Sequence, residues 1–420
     1  MSNINKIFSL PKPSILTLAI GGLSIGMTEF MMMGVLPDVA KTLSVSIPEA
    51  GHLISAYALG VVIGAPLTAA IAGKYSPKKV LIVLMVMYGV FNTLFASAPS
   101  FTLLLIARFF AGLPHGAFFG IGAVVASRLA DKGKEARAVA IMFAGLTVAN
   151  IIGVPVGTYI GHNFSWRISF YIIAVIAFVA ALAIQKWMPA TPAAPEHNFK
   201  QSLKAFGKAE PWLIIAMASI GSGGLFAWIS YIAPLMTHVA HFSANAVTII
   251  MIIAGIGMTV GNILGGRLAD KFSPLQTIGI LLLSMMISLL IVAITAQYQI
   301  VAIVMTFVTA AVAFALVSPM QVLIIKAAAG SEMLASASLQ ASLNIGNAIG
   351  AFLGGLPIAA GFGYASSEYV GMALVVTGLL FCAILLRRQN KNKQHVMADA
   401  PDHQPQITVI SKQQLASNPA

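Results

Sequence analysis

Two charged residues inside long apolar segments are the first candidates for chemistry in this chain. Glu29 lies in the apolar stretch 14–36, and Arg108 lies in the stretch 101–126. A carboxylate at the centre of a membrane-spanning helix costs roughly 2.5–3.5 kcal/mol on insertion scales, so it is expected to face a cavity or a partner. Each residue is seven positions from one end of its stretch, which at about 1.5 Å per residue puts both about 10 Å below the same surface.

This shared depth predicts a proton-coupling pair. Glu29 would take and release a proton, and Arg108 would be the neighbour whose movement changes the affinity of Glu29 for that proton. A fixed structural ion pair between the two residues is the alternative. Glu29 is the only acidic residue well inside a predicted span, because Glu368 lies near a predicted membrane boundary.

The segment that holds Arg108 continues as a polar stripe. Arg108, Gly112, His115 and Phe119 follow one another at spacings of four, three and four, so they share one face of a helix. His115 is suited to bind a substrate or to relay protons. A neutral histidine that is hydrogen-bonded between helices is the alternative.

Polar and aromatic residues in the second half of the chain are candidates for a substrate cavity. Their amide groups and aromatic planes suit hydroxyl-rich or amphipathic ligands, although ordinary hydrogen bonding between helices is the alternative for each. Trp228 and Tyr231 are expected to share one helical face of the apolar stretch 211–236. The full set of predicted cavity residues is His115, Phe119, Asn150, Trp228, Tyr231, Gln321, Gln340, Asn344 and Asn347.

No metal site, cofactor or catalytic centre is predicted. His52, His162, His238 and His241 have no metal-ligand spacing. The single cysteine, Cys382, excludes an internal disulfide and has no candidate base. The sequence contains no G-x-x-x-x-G-K-[ST] motif, so ATP hydrolysis within this chain is excluded as an energy source. We therefore expect a protein that is not an enzyme.

The composition shows that these residues are carried by membrane-spanning elements. Apolar residues make up 58% of the chain and charged residues 9%, with a mean hydropathy of +0.90, whereas soluble domains carry about 25% charged residues. Helices are expected, because the stretches do not alternate in polarity as the strands of a membrane barrel do. The twelve predicted spans are 14–36, 48–72, 80–98, 101–126, 138–161, 168–188, 211–236, 245–268, 276–295, 299–325, 335–360 and 366–386.

The basic residues predict the orientation of these spans. With the N-terminus inside, 21 of the 24 lysines and arginines lie in cytoplasmic segments, and Lys41 and Arg167 lie outside. This bias follows the positive-inside rule and places both termini in the cytoplasm. The net charge of +12 is therefore a topology signal, and no basic soluble face exists that would bind nucleic acid.

A repeat divides the chain into two homologous halves. Eight residues have the same residue type 197 positions later. They are Gly60, Gly64, Lys74, Ser76, Pro77, Asn150, Gly153 and Gly157. Repeated halves in an apolar chain are typical of secondary transporters. The predicted organisation is a six-helix bundle over 1–188, a cytoplasmic linker over 189–210, a second six-helix bundle over 211–388 and a disordered cytoplasmic tail over 389–420.

Several motifs resemble the major facilitator superfamily. GRLADKFSP retains Gly266, Leu268, Asp270 and Lys271 of the superfamily's loop signature, whereas the first copy of that loop has Gly73 in place of the acid. RFFAGLPHG resembles an R-x-x-x-G element, and NIIGVPVGTYIG resembles the Gly-Pro motif of antiporters. TEFMMMGVLPDVA and SWRISF resemble the drug:proton antiporter branch, and the whole is most similar to its sugar-efflux group.

The resemblance implies an all-α membrane protein with twelve transmembrane helices in two six-helix bundles, the major facilitator fold. Its expected gating residues are Gly153, Pro155, Gly157, Gly266, Asp270 and Lys271. Glycines on the second, fifth, eighth and eleventh spans would form flat faces at the seam between the halves and let them rock.

The expected function is proton-coupled efflux of a small organic solute, either a sugar or sugar-like compound or an amphipathic drug, across the bacterial inner membrane. An uncoupled facilitator and a non-transporting membrane sensor are the alternatives. The expected partners are the solute, protons and the lipid bilayer, with no cofactor and no nucleic acid, in a monomeric protein.

Overall fold

The computed structural model describes residues 12–72, 75–132, 135–190, 205–328 and 331–398, and all regular structure in these ranges is helical. We number the main helices α1 to α12. They are α1 Pro13–Gly34, α2 Ile47–Ala72, α3 Pro77–Ser97, α4 Phe101–Leu129, α5 Glu135–Val148 and Val154–Ile160, α6 Trp166–Trp187, α7 Ala209–Ile229, α8 Ala244–Lys271, α9 Pro274–Thr295, α10 Gln299–Ala315 and Val317–Ala327, α11 Glu332–Ala359, and α12 Ser366–Ala398.

The predicted fifth and sixth spans follow each other with almost no loop. Helical structure is continuous over Ala138–Trp187, which is 50 residues, or about 75 Å if it were straight. The chain instead reverses at Ser165, which has extended backbone angles and whose side chain accepts a hydrogen bond from the backbone N–H of Arg167. Ser169 then donates to the carbonyl of Gly157 at 2.7 Å. The eleven apolar helical stretches of the described chain therefore provide twelve crossings of a ~30 Å core.

Proline residues interrupt the helices of two predicted spans. The seventh span was expected to run from 211 to 236, but α7 ends at Ile229. Pro234 has no N–H to donate to the carbonyl four residues earlier, so the helix is interrupted there. In the same way, Pro319 accompanies a break in α10 at Leu316. The spans predicted over 211–236 and 299–325 are therefore each divided into two helical segments.

The last helix is longer than predicted. α12 continues to Ala398, whereas a disordered tail was expected from residue 389. Residues 389–398 contain no glycine or proline and include lysine, glutamine and alanine, which sustain a helix. Residues 191–204, which form most of the predicted linker, and residues 399–420 of the predicted tail lie outside the described residues.

The same packing occurs twice. In the first half α1 packs on α5 and α6, α2 on α4, and α3 on α6. In the second half α7 packs on α11 and α12, α8 on α10, and α9 on α12. Two seams join the halves, one between α2 and α11 and one between α5 and α8. The all-helical architecture of two homologous bundles is therefore confirmed for the described chain.

The repeated glycines pack inside the halves and not at the seams. A Cβ atom added at Gly60 would collide with the carbonyl of Phe109 on α4, and one added at Gly257 would collide with that of Phe307 on α10. At the seam of α5 and α8, the close approach is made by Gly255, which lies against the carbonyl of Asn150. The prediction that the repeated glycines let the halves rock was wrong, because these glycines are used for close helix contact within each bundle.

Candidate functional site

A cavity of about 110 Å³ lies between the two halves. Its walls come from α1, α4 and α5 of the first half and from α7, α9, α10 and α11 of the second. Its polar lining residues are Glu29, His115, Ser222, Gln340 and Asn344. Its larger apolar lining residues are Phe30, Phe119, Leu146, Leu225, Phe226, Met285, Phe314, Leu316, Met320 and Leu343. A mainly apolar wall with a few polar groups is the usual character of a site for a small organic ligand.

Glu29 faces this cavity without a protein partner. Its side chain is half-buried, and neither a hydrogen bond nor an ion pair to it forms among the described residues. A carboxylate in such a position is able to exchange a proton with water that enters the cavity. Helix α1 places it there because Glu29 and Phe30 lie where α1 faces α10 of the other half, and the rings of Phe30 and Phe314 are 5.9 Å apart.

Arg108 does not pair with Glu29 in this structure. The arginine is completely buried in the first half, and its Nε donates to the backbone carbonyl of Leu53 at 3.2 Å. Its Nη1 and Nη2 have no hydrogen-bond partner within the described residues. The direct partnership that was predicted from the depth of the two residues is thus not present in this conformation.

Three aromatic rings surround Arg108 instead. The guanidinium carbon lies 4.3 Å from the centre of the Tyr57 ring, 5.4 Å from that of Phe95 and 5.7 Å from that of Phe170. Cation–π attraction of this kind contributes roughly 0.5–2 kcal/mol for each well-placed ring. Because the rings belong to α2, α3 and α6, they hold the arginine inside the bundle, and it does not line the cavity.

His115 connects the cavity to the interior of the first half. Its Nδ1 lies 3.0 Å from the hydroxyl of Tyr57, which in turn lies 2.9 Å from the hydroxyl of Tyr88. Sequence reasoning missed both tyrosines. They are the tyrosines furthest from the ends of the predicted spans, and a hydroxyl in hydrocarbon requires a hydrogen-bond partner. That requirement was the signal that would have singled them out.

The cavity is closed at one end by contacts between the halves. Ser55 donates to the carbonyl of Ala348 at 3.0 Å, and the side-chain amide of Asn163 donates to that of Asn245 at 3.0 Å. The hydroxyl of Tyr231 lies against Gly51, where an added Cβ would be 2.5 Å from it. We call this end, where Ser55, Asn163 and Gly51 meet the second half, the sealed end.

Comparison with known proteins identifies the family. The family model of the Major Facilitator Superfamily matches residues 18–338 and 212–418. This chain belongs to the major facilitator superfamily. It is accordingly a multi-pass membrane transporter of small solutes and not an enzyme.

Relatives of this superfamily member cover almost the whole chain. AraJ of Escherichia coli strain K12, which is named as a transporter, is 38% identical over 391 residues, or 93% of this chain and 98% of AraJ. The inner membrane transport protein YdhP of the same strain is 37% identical over 89% of this chain and 96% of its own. A chloramphenicol resistance protein of Streptomyces lividans is 30% identical over 87% of this chain and 95% of its own length.

Solved structures share the fold. A D-xylose-proton symporter has a TM-score of 0.71 at 18% identity and covers 88% of this chain and 96% of its own. A bacterial homologue of the human lysosomal transporter Spinster, in an inward-facing and occupied conformation, has a TM-score of 0.69 at 18% identity. The match covers 90% of this chain and 98% of that homologue. The predicted major facilitator fold is therefore confirmed.

Four of the nine predicted cavity residues line the cavity of this transporter, namely His115, Phe119, Gln340 and Asn344. The other five, Asn150, Trp228, Tyr231, Gln321 and Asn347, do not line it. Ser222, which the sequence prediction omitted, does. It lies in a run of small residues on α7 that carries no chemical signal of its own.

The five remaining residues have other surroundings. Tyr231 follows the break in α7, so it does not share a helical face with Trp228, and it donates to the carbonyl of Ala351 at 2.6 Å near the sealed end. Asn150 is buried where α5 meets α8. Trp228 Nε1, Gln321 Nε2 and both polar side-chain atoms of Asn347 have no hydrogen-bond partner in the described chain.

The predicted gating residues occupy two places. Gly153 and Gly157 lie against Met27 and Met31 of α1. Pro155 follows the π-helical turn Ala149–Gly153 of α5, a local widening of the helix that often accompanies function. At the far end of α8, Gly266 faces Ser318 of α10, and Lys271 lies 5.4 Å from the ring of Phe272. Gly73 and the side chain of Asp270 lie outside the described residues.

A second acidic residue is buried more deeply than predicted. Glu368, expected near a membrane boundary, has no exposed surface. One of its oxygens lies 3.5 Å from the hydroxyl of Ser367, and the other has no partner within the described ranges. Glu368 does not line the cavity, so it differs from Glu29 in having no visible route to water. No cluster of three or more metal-binding side chains occurs among the described residues.

Proposed function

We propose that this transporter couples inward proton movement to efflux of a small organic solute across the bacterial inner membrane by alternating access. The observation that carries the proposal is the half-buried, unpartnered carboxylate of Glu29 in a cavity built by both halves. The distribution of lysine and arginine supports an orientation with both termini in the cytoplasm. In that orientation the sealed end faces the outside.

Glu29 and Arg108 are the coupling residues in this proposal. Helices α1 and α4 are in contact, so a small shift of one along the other would change the distance between the carboxylate and the guanidinium. The unpaired Nη1 and Nη2 of Arg108 leave it with hydrogen-bond donors to offer. Bringing these donors to Glu29 would stabilise the charged carboxylate by Coulomb attraction and displace its proton.

The lining of the cavity supports a solute with both apolar and hydroxyl or amide groups. Aromatic and methionine side chains alternate with the amides of Gln340 and Asn344. The sugar-efflux resemblance favours sugars or sugar-like compounds, and the relationship to a chloramphenicol resistance protein favours amphipathic drugs. Both the cavity and the two seams are formed within one chain, which supports a monomeric unit.

Transport into proteoliposomes tests the proposal. Purified protein would be reconstituted and offered D-xylose, chloramphenicol and a panel of sugars and amphipathic drugs. An acidic interior should drive at least one solute to accumulate, and an acidic exterior should not, because the proton and the solute move in opposite directions. Equal uptake with and without a gradient would indicate a facilitator, and no uptake of any solute would favour a sensor.

A further inference from the structure

A buried chain of hydrogen bonds leads from the cavity into the first half. It runs from His115 to Tyr57 and on to Tyr88, and all three residues are at most 2% exposed. At its inner end the hydroxyl of Tyr88 lies 3.4 Å from the backbone carbonyl of Ile25. At its outer end the imidazole lines the cavity.

The carbonyl at the inner end of the chain favours one direction for the hydrogen bonds in it. A carbonyl oxygen only accepts, so Tyr88 donates its hydroxyl hydrogen to Ile25. The Tyr88 oxygen is then the acceptor for the hydroxyl of Tyr57. Having donated its own hydrogen, Tyr57 accepts from the Nδ1–H of His115. In the opposite direction Tyr88 would donate to Tyr57 and would give up its bond to the Ile25 carbonyl.

This direction selects one tautomer of His115. A neutral imidazole carries a single N–H, and if it is on Nδ1 the other nitrogen, Nε2, has a free lone pair. An imidazolium is disfavoured here because another cation, Arg108, lies 4.3 Å from the centre of the Tyr57 ring, to which His115 is bonded. Nε2 forms no hydrogen bond to any described residue, and the ring packs edge-on against Phe119 at 5.4 Å.

We propose that Tyr57 and Tyr88 are positioning residues that hold His115 with Nε2 as a hydrogen-bond acceptor for a hydroxyl or amide N–H of the transported solute. The proposal deepens the proposed function, on which its ligand part rests. According to this proposal, a solute that binds to the first half must donate a hydrogen bond to Nε2 of His115. Hydroxyl-bearing sugars and drugs meet that condition, whereas compounds with acceptors alone do not.

The tautomer can be measured directly by nitrogen NMR of the full-length protein, labelled with ¹⁵N-histidine, in lipid nanodiscs. Of the eight histidines, His115 is assigned by the resonances that disappear in His115→Gln. The wild type should show a protonated Nδ1 and an unprotonated Nε2. A proton on Nε2 of the wild-type protein would overturn the proposal.

Tyr88→Phe provides the sharper test, because this change does not touch His115. Without Tyr88 as its acceptor, the hydroxyl of Tyr57 should donate to Nδ1, so the imidazole proton should move to Nε2. The control is Tyr171→Phe, which removes an exposed tyrosine hydroxyl bonded to Ser97 at 2.8 Å elsewhere in the same half. It should leave the His115 spectrum unchanged. An unchanged spectrum in a folded Tyr88→Phe protein would refute the relay from Tyr88.

Ligand contact is tested by titrating the labelled protein with chloramphenicol and with D-xylose. At least one should shift the Nε2 resonance of His115 while leaving Nδ1 protonated. The absence of a shift with both would overturn the acceptor role. None of these spectra depends on proton coupling, so failure of the proposed efflux function would show itself separately, in the proteoliposome experiment.

Discussion

The two halves share a fold but treat their buried polar side chains differently. In the first half, five buried polar side-chain atoms have no partner within the described residues, two of them on Arg108, but several buried side chains are joined to one another. His115, Tyr57 and Tyr88 form one chain, and Asn92 donates to the carbonyl of Tyr88 at 2.8 Å. In the second half several buried polar atoms have no partner in the described chain. They are Ser219 Oγ, Trp228 Nε1, Ser230 Oγ, Thr248 Oγ1, Thr277 Oγ1, Gln321 Nε2, Asn344 Oδ1, Asn347 Oδ1 and Nδ2, and one oxygen of Glu368.

This difference suggests a division of labour. A hydrogen-bonded network inside a membrane protein is held in one arrangement, because each broken bond leaves a polar group in a medium that offers no replacement. Atoms without a partner have to gain one from water, from a ligand or from another conformation. We infer that the first half presents a prearranged acceptor site at His115, and that most of the groups whose partners change during transport lie in the second half, with Glu29 and Arg108 as the exceptions in the first.

The largest effect is expected from a substitution of Glu29, the cavity carboxylate of the first half. Glu29→Gln should abolish gradient-driven accumulation while sparing solute exchange, since the amide resembles a permanently protonated acid of the same size. The matched control is Glu368→Gln in the second half, which should retain accumulation. Both variants would be assayed in proteoliposomes with an acidic interior. If Glu368→Gln lost accumulation and Glu29→Gln kept it, the proton would be handled by the other half.

A substitution of Arg108 distinguishes a role in proton coupling from a role in the stability of the fold. Arg108→Leu should remove proton-driven accumulation but lower the free energy of unfolding by only about 1–2 kcal/mol, because no ion pair to Glu29 is broken and the loss of the cation–π contacts and of the bond to Leu53 is partly offset by the removal of a buried charge. Thermal unfolding in detergent measures the second quantity. If a structural ion pair existed instead, Glu29→Gln and Arg108→Leu would destabilise the protein to a similar extent, and the double variant would recover stability.

One buried asparagine in each half allows the same substitution, asparagine to alanine, to be compared between the halves. Asn92→Ala should lower stability by about 1 kcal/mol, because it breaks the bond to Tyr88. Asn347→Ala should leave stability almost unchanged, because neither polar atom of that side chain is bonded within the described residues. It should nevertheless slow transport several-fold. Thermal unfolding and initial transport rates check both, and equal destabilisation by the two substitutions would contradict the division.

The smallest expected effect concerns the sealed end. Tyr231→Phe removes the hydroxyl that donates to Ala351 but retains the ring. We expect a loss of about 1 kcal/mol of the seal's stability, visible as faster reaction of a cysteine introduced at Ser55 with a maleimide. The control is Tyr298→Phe, an exposed tyrosine of the second half, in the same cysteine background. Unchanged reactivity in Tyr231→Phe would show that packing alone maintains the seal.

The sequence alone was sufficient for the features that depend on local patterns. Hydropathy located the ends of all the spans except the seventh and the twelfth within about three residues, since the thickness of the hydrocarbon layer sets their length. The offset of 197 residues predicted the repeated bundles. Helical spacing also placed His115 and Phe119 on one face, and both line the cavity. Each of these follows from residues close together in the chain or from a repeat that is visible in it.

Only the tertiary structure decided which distant residues meet. Depth alone paired Arg108 with Glu29, but rings from α2, α3 and α6 hold the arginine elsewhere. The chain from His115 through Tyr57 to Tyr88 joins three helices, whose relative rotation is not encoded in any one of them. The break after Ile229 likewise turned Tyr231 toward the sealed end. Hydrophobic patterning in lipid fixes where a helix lies along the membrane normal, whereas side-chain packing between helices sets its rotation and its partners.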